Sequence, residues 1–297
     1  MNSYFKEVPW CETMVLSVSH RTDYIYAGWV SDSYNEARLK PQHNERQILS
    51  LFEFVTNPMS KIRSYPDFYG NAVHYFDLPD FHQNLSIEVK SSLKIFSDTR
   101  GIIPSIRMAD IENSEEIDSL HDYLLETEMT TIHSVIWQQA MDLIVNEADD
   151  VWLRVAKIGH YIHHHFQYQP NSTSVYTRAI DVFNLKKGVC QDFAHLMLAM
   201  CRSLKIPCRY VSGYFFNPEQ DPFLPEASHA WVEVFLPGFG WQSYDPTHCR
   251  IADTRYVVLA TGRDYNDVRP ISGSFRGAST QSLIVDVRVR REVEVIV

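Results

Sequence analysis

From Met14 to Phe96, apolar and polar residues alternate with a period near two. The stretches "MVLSVSHRTDYIY", "ILSLFEFVTNP", "NAVHYFDLP" and "LSIEVKSSLKIF" are rich in β-branched and aromatic side chains, which suit a pleated, half-buried surface. Asp67 to Asn71, "DFYGN", supplies glycine and asparagine for a hairpin turn, because both tolerate positive φ. Strands that follow one another without helices between them predict an antiparallel sandwich or small barrel.

Past Gly101 and Pro104 the apolar spacing lengthens. "SEEIDSLHDYLLETEM", "IHSVIWQQAMDLIV" and "DDVWLRVAKIGHYIHHHF" carry apolar residues at helical intervals, and Asp149 and Asp150 suit a helix entrance. Cys190 to Leu204 reads as another helix, with Phe193, Met197, Met200 and Leu204 on one stripe and Pro207 ending it. "CRYVSGYFF", "HAWVEVFLP" and "GWQSYDPT" read as strands, and the final "SLIVDVRVRREVEVIV" alternates as a strand that returns to a sheet. The expected organisation is α+β. It comprises an N-terminal antiparallel β domain at 14–98, a helical connector at 99–150, a core at 151–262 and a C-terminal segment at 263–297.

Composition narrows the partners. With 297 residues, of which 45% are hydrophobic and 22% charged, the chain can bury a sizeable core. A net charge of −10 lacks the basic face that nucleic acid requires. No apolar run reaches the length of a membrane span, and "MNSYFKEVPWCETMVLSVSH" shows no signal peptide, so the cytoplasm is the expected compartment. The five cysteines, Cys11, Cys190, Cys201, Cys208 and Cys249, are odd in number, and none form a C-x-x-C pair. They predict neither a disulfide framework nor a structural zinc site.

"KKGVCQDFAH" places Cys190 just after Gly188, a flexible turn residue, at a helix entrance. Thiolate is the nucleophilic form of cysteine, and a helix N-terminus stabilises an anion. By itself this residue would more often pack under its helix. "SHAWVEVFLP" opens a strand with His229, while Ala230, Val232, Val234 and Leu236 share the other face. "GWQSYDPTH" supplies Asp245 on the next strand, close in register to His229 across the "PGFGW" turn. A carboxylate on one imidazole nitrogen fixes the tautomer and stabilises the imidazolium. Nucleophile, base and orienter thus occur in order.

"HYIHHHF" invites a metal reading through His160 and His164, but the stripe Trp152, Val155, Ile158, Ile162 and Phe166 turns His163 and His164 outward. No metal or cofactor is expected. Trp231 shares the His229 face, where it either walls a cleft or packs.

"GVCQDFAHLMLAMCRSLKIPCRYVSGYFF", "ASHAWVEVFLPGFGW" and "YDPTH" resemble the transglutaminase-like superfamily of papain-type thiol enzymes. The wider chain is similar to bacterial members described as candidate cysteine proteases, through "HRTDYIY", "NEARLKPQ", "DFYGNAVHYF" and "GRDYNDVRPISGSFRG". The resemblance implies a cysteine-bearing helix packed on an antiparallel sheet. It places the nucleophile on Cys190, the general base on His229 and the orienting carboxylate on Asp245. The Cys190 backbone N–H is the first oxyanion donor, since a helix entrance leaves it without an intrahelical acceptor. Gln167, Tyr168 and Tyr176 are open alternatives for the second. Asp264 and Tyr265 lie in the matching Gly262–Gly277 segment without an assigned role.

The implied function is acyl transfer on an amide of a protein or peptide, with hydrolysis as the first reading. The alternatives are a protein-glutamine transglutaminase, in which an amine resolves the thioester, and a binding or assembly protein of the same fold. A zinc-dependent peptide-glycanase relative is disfavoured by the missing paired cysteines.

Overall fold

The computed structural model describes residues 13–145, 149–219, 228–278 and 280–292. Cys11 and the end of the last expected strand lie outside them. Among the described residues, the N-terminal half forms β1 (Thr13–Ala37), β2 (Gln47–Asn57), β3 (Arg63–Pro66), β4 (Ala72–Leu78) and β5 (His82–Phe96). The first ten residues of β1 alternate half-buried and buried almost without interruption, as expected of a strand with one face on a core. The "DFYGN" turn joins β3 to β4. Asp67 Oδ1 accepts from the Tyr69 and Asn71 amides at 3.0 and 2.9 Å, and Gly70 takes a φ of 80°.

α1 (Met108–Glu112), a 3₁₀ turn (Ile117–Tyr123) and α2 (Ser134–Ile144) follow. The helix expected over "SEEIDSLHDYLLETEM" shrinks to that single 3₁₀ stretch. Ser114, Glu116, Thr127 and Thr130 satisfy nearby backbone amides or one another with their side chains, which competes with helical bonding.

The core contains α3 (Val151–His165), β6 (Gln167–Tyr168), α4 (Ala179–Leu185), β7 (Lys187–Gly188), α5 (Cys190–Ser203), β8 (Cys208–Phe215), β9 (His229–Leu236), β10 (Gly240–Tyr244) and β11 (Tyr256–Gly262). Asp150 caps α3 by accepting from the Leu153 amide at 3.0 Å. α5 is not the one-sided helix that its stripe suggests, because every residue from Asp192 to Arg202 is buried. The antiparallel sheet β10-β9-β8-β11 covers one side through β8 and β9, and α2, α3 and α4 cover the other.

β12 (Ile271–Gly277) and β13 (Gln281–Arg291) return to the N-terminal sheet. β13 pairs with β1 over Leu16–Tyr26 and β12 over Val30–Ala37, while β5 and β4 occupy the opposite edge of β1. The seven-stranded sheet therefore extends beyond the 14–98 span. β11 and β12 are strands beyond those the alternation predicts, and only the "YVVLA" of β11 hints at one. The architecture is α+β.

Candidate active site

Local geometry at the mouth of α5 begins one turn upstream. Lys186 ends α4 in the left-handed region with a φ of 54°. The chain then pairs in parallel with β6 through Lys187 and Gly188. Gly188 is thus not a conformational hinge. A Cβ on it would lie 2.7 Å from both Asp192 Cβ and Asp192 Oδ2, so glycine is needed there for close approach. That approach lets Asp192 Oδ2 accept from the Val189 amide at 2.7 Å and the Thr173 hydroxyl at 2.6 Å. Burial pushes the Asp192 carboxyl up despite both bonds. The next amide belongs to Cys190 and has no acceptor within the helix.

Cys190 is half-buried, with Sγ 3.9 Å from the Ser228 carbonyl oxygen. The His229 ring lies close enough to Cys190 for the thiol to contribute to the rise in its pKa. His229 Nε2 lies 2.7 Å from Asp245 Oδ2, which leaves Nδ1 for the sulfur. Tyr244 is the last β10 residue paired with β9, opposite Val232. Asp245 follows it, diagonal to His229 on the same sheet face, where side chains two residues apart meet. The structure therefore brings Cys190, His229 and Asp245 together.

Burial pulls the His229 pKa down. The Asp245 charge, the hydrogen bond to it and the influence of Cys190 outweigh burial and raise the value to about 10. For Asp245, burial pushes upward, and the charge and hydrogen bond of His229 overcome it, holding the carboxyl well below the usual carboxylate range. Both directions describe an ion pair.

Two further contacts at Asp245 have almost no signature in the sequence. His248 Nδ1 lies 2.7 Å from Asp245 Oδ2, and the Tyr256 hydroxyl donates to the same oxygen at 2.8 Å. Asp245 Oδ1 accepts from the Thr247 and His248 amides at 2.8 and 3.3 Å, a local turn typical of aspartate. The only cue was the histidine ending "DPTH".

Among the described residues, His229, Asp245 and His248 form the one group of three potential metal ligands, with donor atoms within 4.8 Å of one another. A metal would have to displace the donors that already occupy Asp245 Oδ2, so this set fits a hydrogen-bonded cluster better. His160 and His164 approach to 4.0 Å between ring centroids without gathering a third ligand into such a group. His163 is exposed and bonds the Thr247 carbonyl through Nδ1 at 2.9 Å.

Trp231 packs. It is fully buried with Val211, Ala252 and Tyr256, and its ring lies 5.9 Å from His229 at an interplanar angle of 28°. Trp231 and Tyr256 also line a cavity of about 590 Å³ with Arg46, Arg209 and Trp241. The three open oxyanion candidates separate. Gln167 is exposed on β6. Tyr176 is 67% exposed and faces Arg269. Tyr168 is 50% exposed and, unlike the other two, lies across from Gly188; desolvation first, then the charges of Cys190, Asp192 and Asp245, raise its pKa to about 12. Of the Gly262–Gly277 segment, Asp264 Oδ1 accepts from the Asn266 amide. The Tyr265 amide donates to His195 Nε2 at 3.2 Å, docking the segment on α5.

Residues 138–246, which include all three candidate residues, match the transglutaminase-like superfamily, and residues 16–94 match the bacterial transglutaminase-like N-terminal region. An uncharacterized protein of Mycobacterium leprae is 32% identical over 283 residues, covering 93% of this chain and 98% of that one. A protein-glutamine gamma-glutamyltransferase of Pseudomonas aeruginosa is 32% identical over 131 residues, which are 40% of this chain and 20% of that protein. The crystal structure of a candidate cysteine protease from Cytophaga hutchinsonii superposes with a TM-score of 0.77 at 21% identity, covering 95% of this chain and 91% of that one. The chain belongs to the transglutaminase-like superfamily and carries its bacterial N-terminal region.

Proposed function

We propose that the protein catalyses acyl transfer from a peptide or side-chain amide through a Cys190 thioester, with water as the final acceptor. The observation that carries this reading is the His229–Asp245 pair, bonded at 2.7 Å, set against Cys190 at the α5 entrance. The thiolate adds to the amide carbonyl, and the Cys190 N–H receives the developing oxyanion. Collapse of the tetrahedral intermediate breaks the C–N bond, and protonated His229 gives its proton to the departing amine. Water then adds to the thioester, His229 takes up its proton, and the acid leaves as the thiol is restored. Asp245 keeps the ring oriented and its charge balanced throughout. Tyr168 is favoured as the second oxyanion donor, supported by its interaction with Cys190 and its place across from Gly188.

Hydrolysis is favoured because the relative described as a candidate cysteine protease matches over nearly the whole chain. The similarity to the glutamyltransferase is confined to 40% of it. The test incubates the protein with a peptide pool and weighs adducts at low pH. An acyl group on Cys190, absent from Cys190→Ser and released by water, is expected. Release only by added primary amine would assign transamidation instead. Prior labelling with iodoacetamide tests the non-catalytic alternative. Cys201 and Cys208 are fully buried, whereas Cys249 is half-buried like Cys190, so the label is mapped by mass and should fall first on Cys190, the cysteine beside His229. No His229-dependent labelling would leave a binding protein.

A further inference from the structure

We propose that His248 is a positioning residue that shares Asp245 with His229 and, together with Tyr256, aims the carboxylate at the His229 ring. This rests on the acyl-transfer reading and extends it beyond three residues. The two imidazoles approach Asp245 Oδ2 equally, at 2.7 Å each, and the Tyr256 hydroxyl completes the set at 2.8 Å. Oδ1 is held separately by the Thr247 and His248 amides. Asp245 is fully buried, so the carboxylate cannot turn without losing one of these donors to nothing.

An ionised carboxylate only accepts, so donation to it places the His248 proton on Nδ1. The ring is one-third exposed, sits 4.5 Å from Phe215 and lies 5.0 Å from His229. The groups around it are Asp245 after β10, His229 on β9, Phe215 on β8 and Tyr256 on β11. The Arg255 guanidinium lies over Phe215, and His163 of α3 holds the Thr247 carbonyl. His248 thus competes with His229 for one acceptor oxygen while restraining its direction. Removing it should leave more of the carboxylate charge to His229 and at the same time loosen its aim.

The experiment measures the rate of iodoacetamide alkylation at Cys190 against pH, mapped by mass, for wild type, His229→Ala, His248→Ala, His248→Asn and Tyr256→Phe. His248→Ala should move the His229-dependent part of the profile upward by roughly half a pH unit, since the opposite charge then acts on one imidazole. His248→Asn, whose amide N–H stands near the former Nδ1, should return the profile to within about 0.2 units of wild type by the same logic. Tyr256→Phe removes one of three donors and should shift the profile in the same direction as His248→Ala. A merely structural histidine would lower thermal stability and leave the profile in place. If His229→Ala changes the wild-type profile but neither His248→Ala nor Tyr256→Phe does, the shared-carboxylate proposal is overturned. Should His248→Ala not fold, His248→Phe, which keeps the bulk of the ring without its N–H, replaces it and should give the same upward shift, an unchanged profile overturning the proposal. If His229→Ala has no effect either, the acyl-transfer reading itself fails.

Discussion

At His229, burial and charge oppose each other, and charge prevails. The folded ring is raised from an ordinary 6.5 to about 10. Its stabilising contribution is therefore complete below pH 6.5 and disappears as the pH rises through about 10. Asp245 moves the other way, from an ordinary 3.8 downward, so its share is present above 3.8 and is lost in acid. The pair should contribute most between about pH 4 and 6.5. In urea unfolding, the gap between wild type and His229→Gln should be widest near pH 5.5 and close towards pH 10. An equal gap at both values would mean that packing, not charge, holds the ring. Asp245→Asn retains shape but loses the orienting charge. Turnover should fall by roughly 10²- to 10⁴-fold while Cys190 still alkylates. The three candidate positions are legible in the sequence because a cysteine, a histidine and a carboxylate occur in order beside recognisable structure signals. His248 and Tyr256 are not, because a histidine after "DPT" and a tyrosine opening an unremarked strand carry no pattern of their own.

At the scale of elements, close approach decides more than flexibility does. A Cβ on Gly159 of α3 would lie 2.0 Å from the Tyr244 ring on β10, and one on Gly213 of β8 would lie 2.0 Å from the Val257 carbonyl oxygen and 2.5 Å from the Trp231 ring. Neither glycine has a positive φ. Gly188→Ala tests the same principle beside Cys190, where the added methyl must push Asp192 off the Val189 amide. The expected stability cost is about 1–3 kcal/mol, with a larger loss of Cys190 reactivity than of Tm. Alkylation kinetics and thermal unfolding measured together check this. Unchanged reactivity would mean that Asp192 does not shape the entrance. From sequence, Gly188 reads as a turn residue, and only the structure shows the left-handed position to be Lys186.

Across the whole molecule, the two sheets are joined by side chains that imitate a strand. β11 is an edge strand of the core sheet. The Gln47 amide bonds both the Val258 carbonyl at 2.9 Å and the Val258 N–H at 2.8 Å. The Asn71 amide does the same for Thr261, at 2.8 Å each. Each replaces a missing β-ladder pair and protects the edge. Asn71→Ala should cost about 1–3 kcal/mol, because it strips both backbone groups of buried Thr261, and Gln47→Ala should cost less, because the Val258 carbonyl keeps the Gln42 N–H at 3.0 Å. Chemical denaturation would measure the loss. A change near zero would show that water replaces the amide.

The sequence by itself determined the strand-rich first half, the capped α3, the Cys190 helix and the order of the candidate residues. Periodicity, capping and turn chemistry are local properties, and in these elements folding keeps them. It also indicated the return of the last strand, without naming its partner. Only the tertiary structure decided that β12 and β13 complete the N-terminal sheet, that α5 is buried on every side, and that Asp245 serves two imidazoles and a phenol. Each of those outcomes depends on groups brought together from distant parts of the chain, and the pattern along any one segment does not specify its partner.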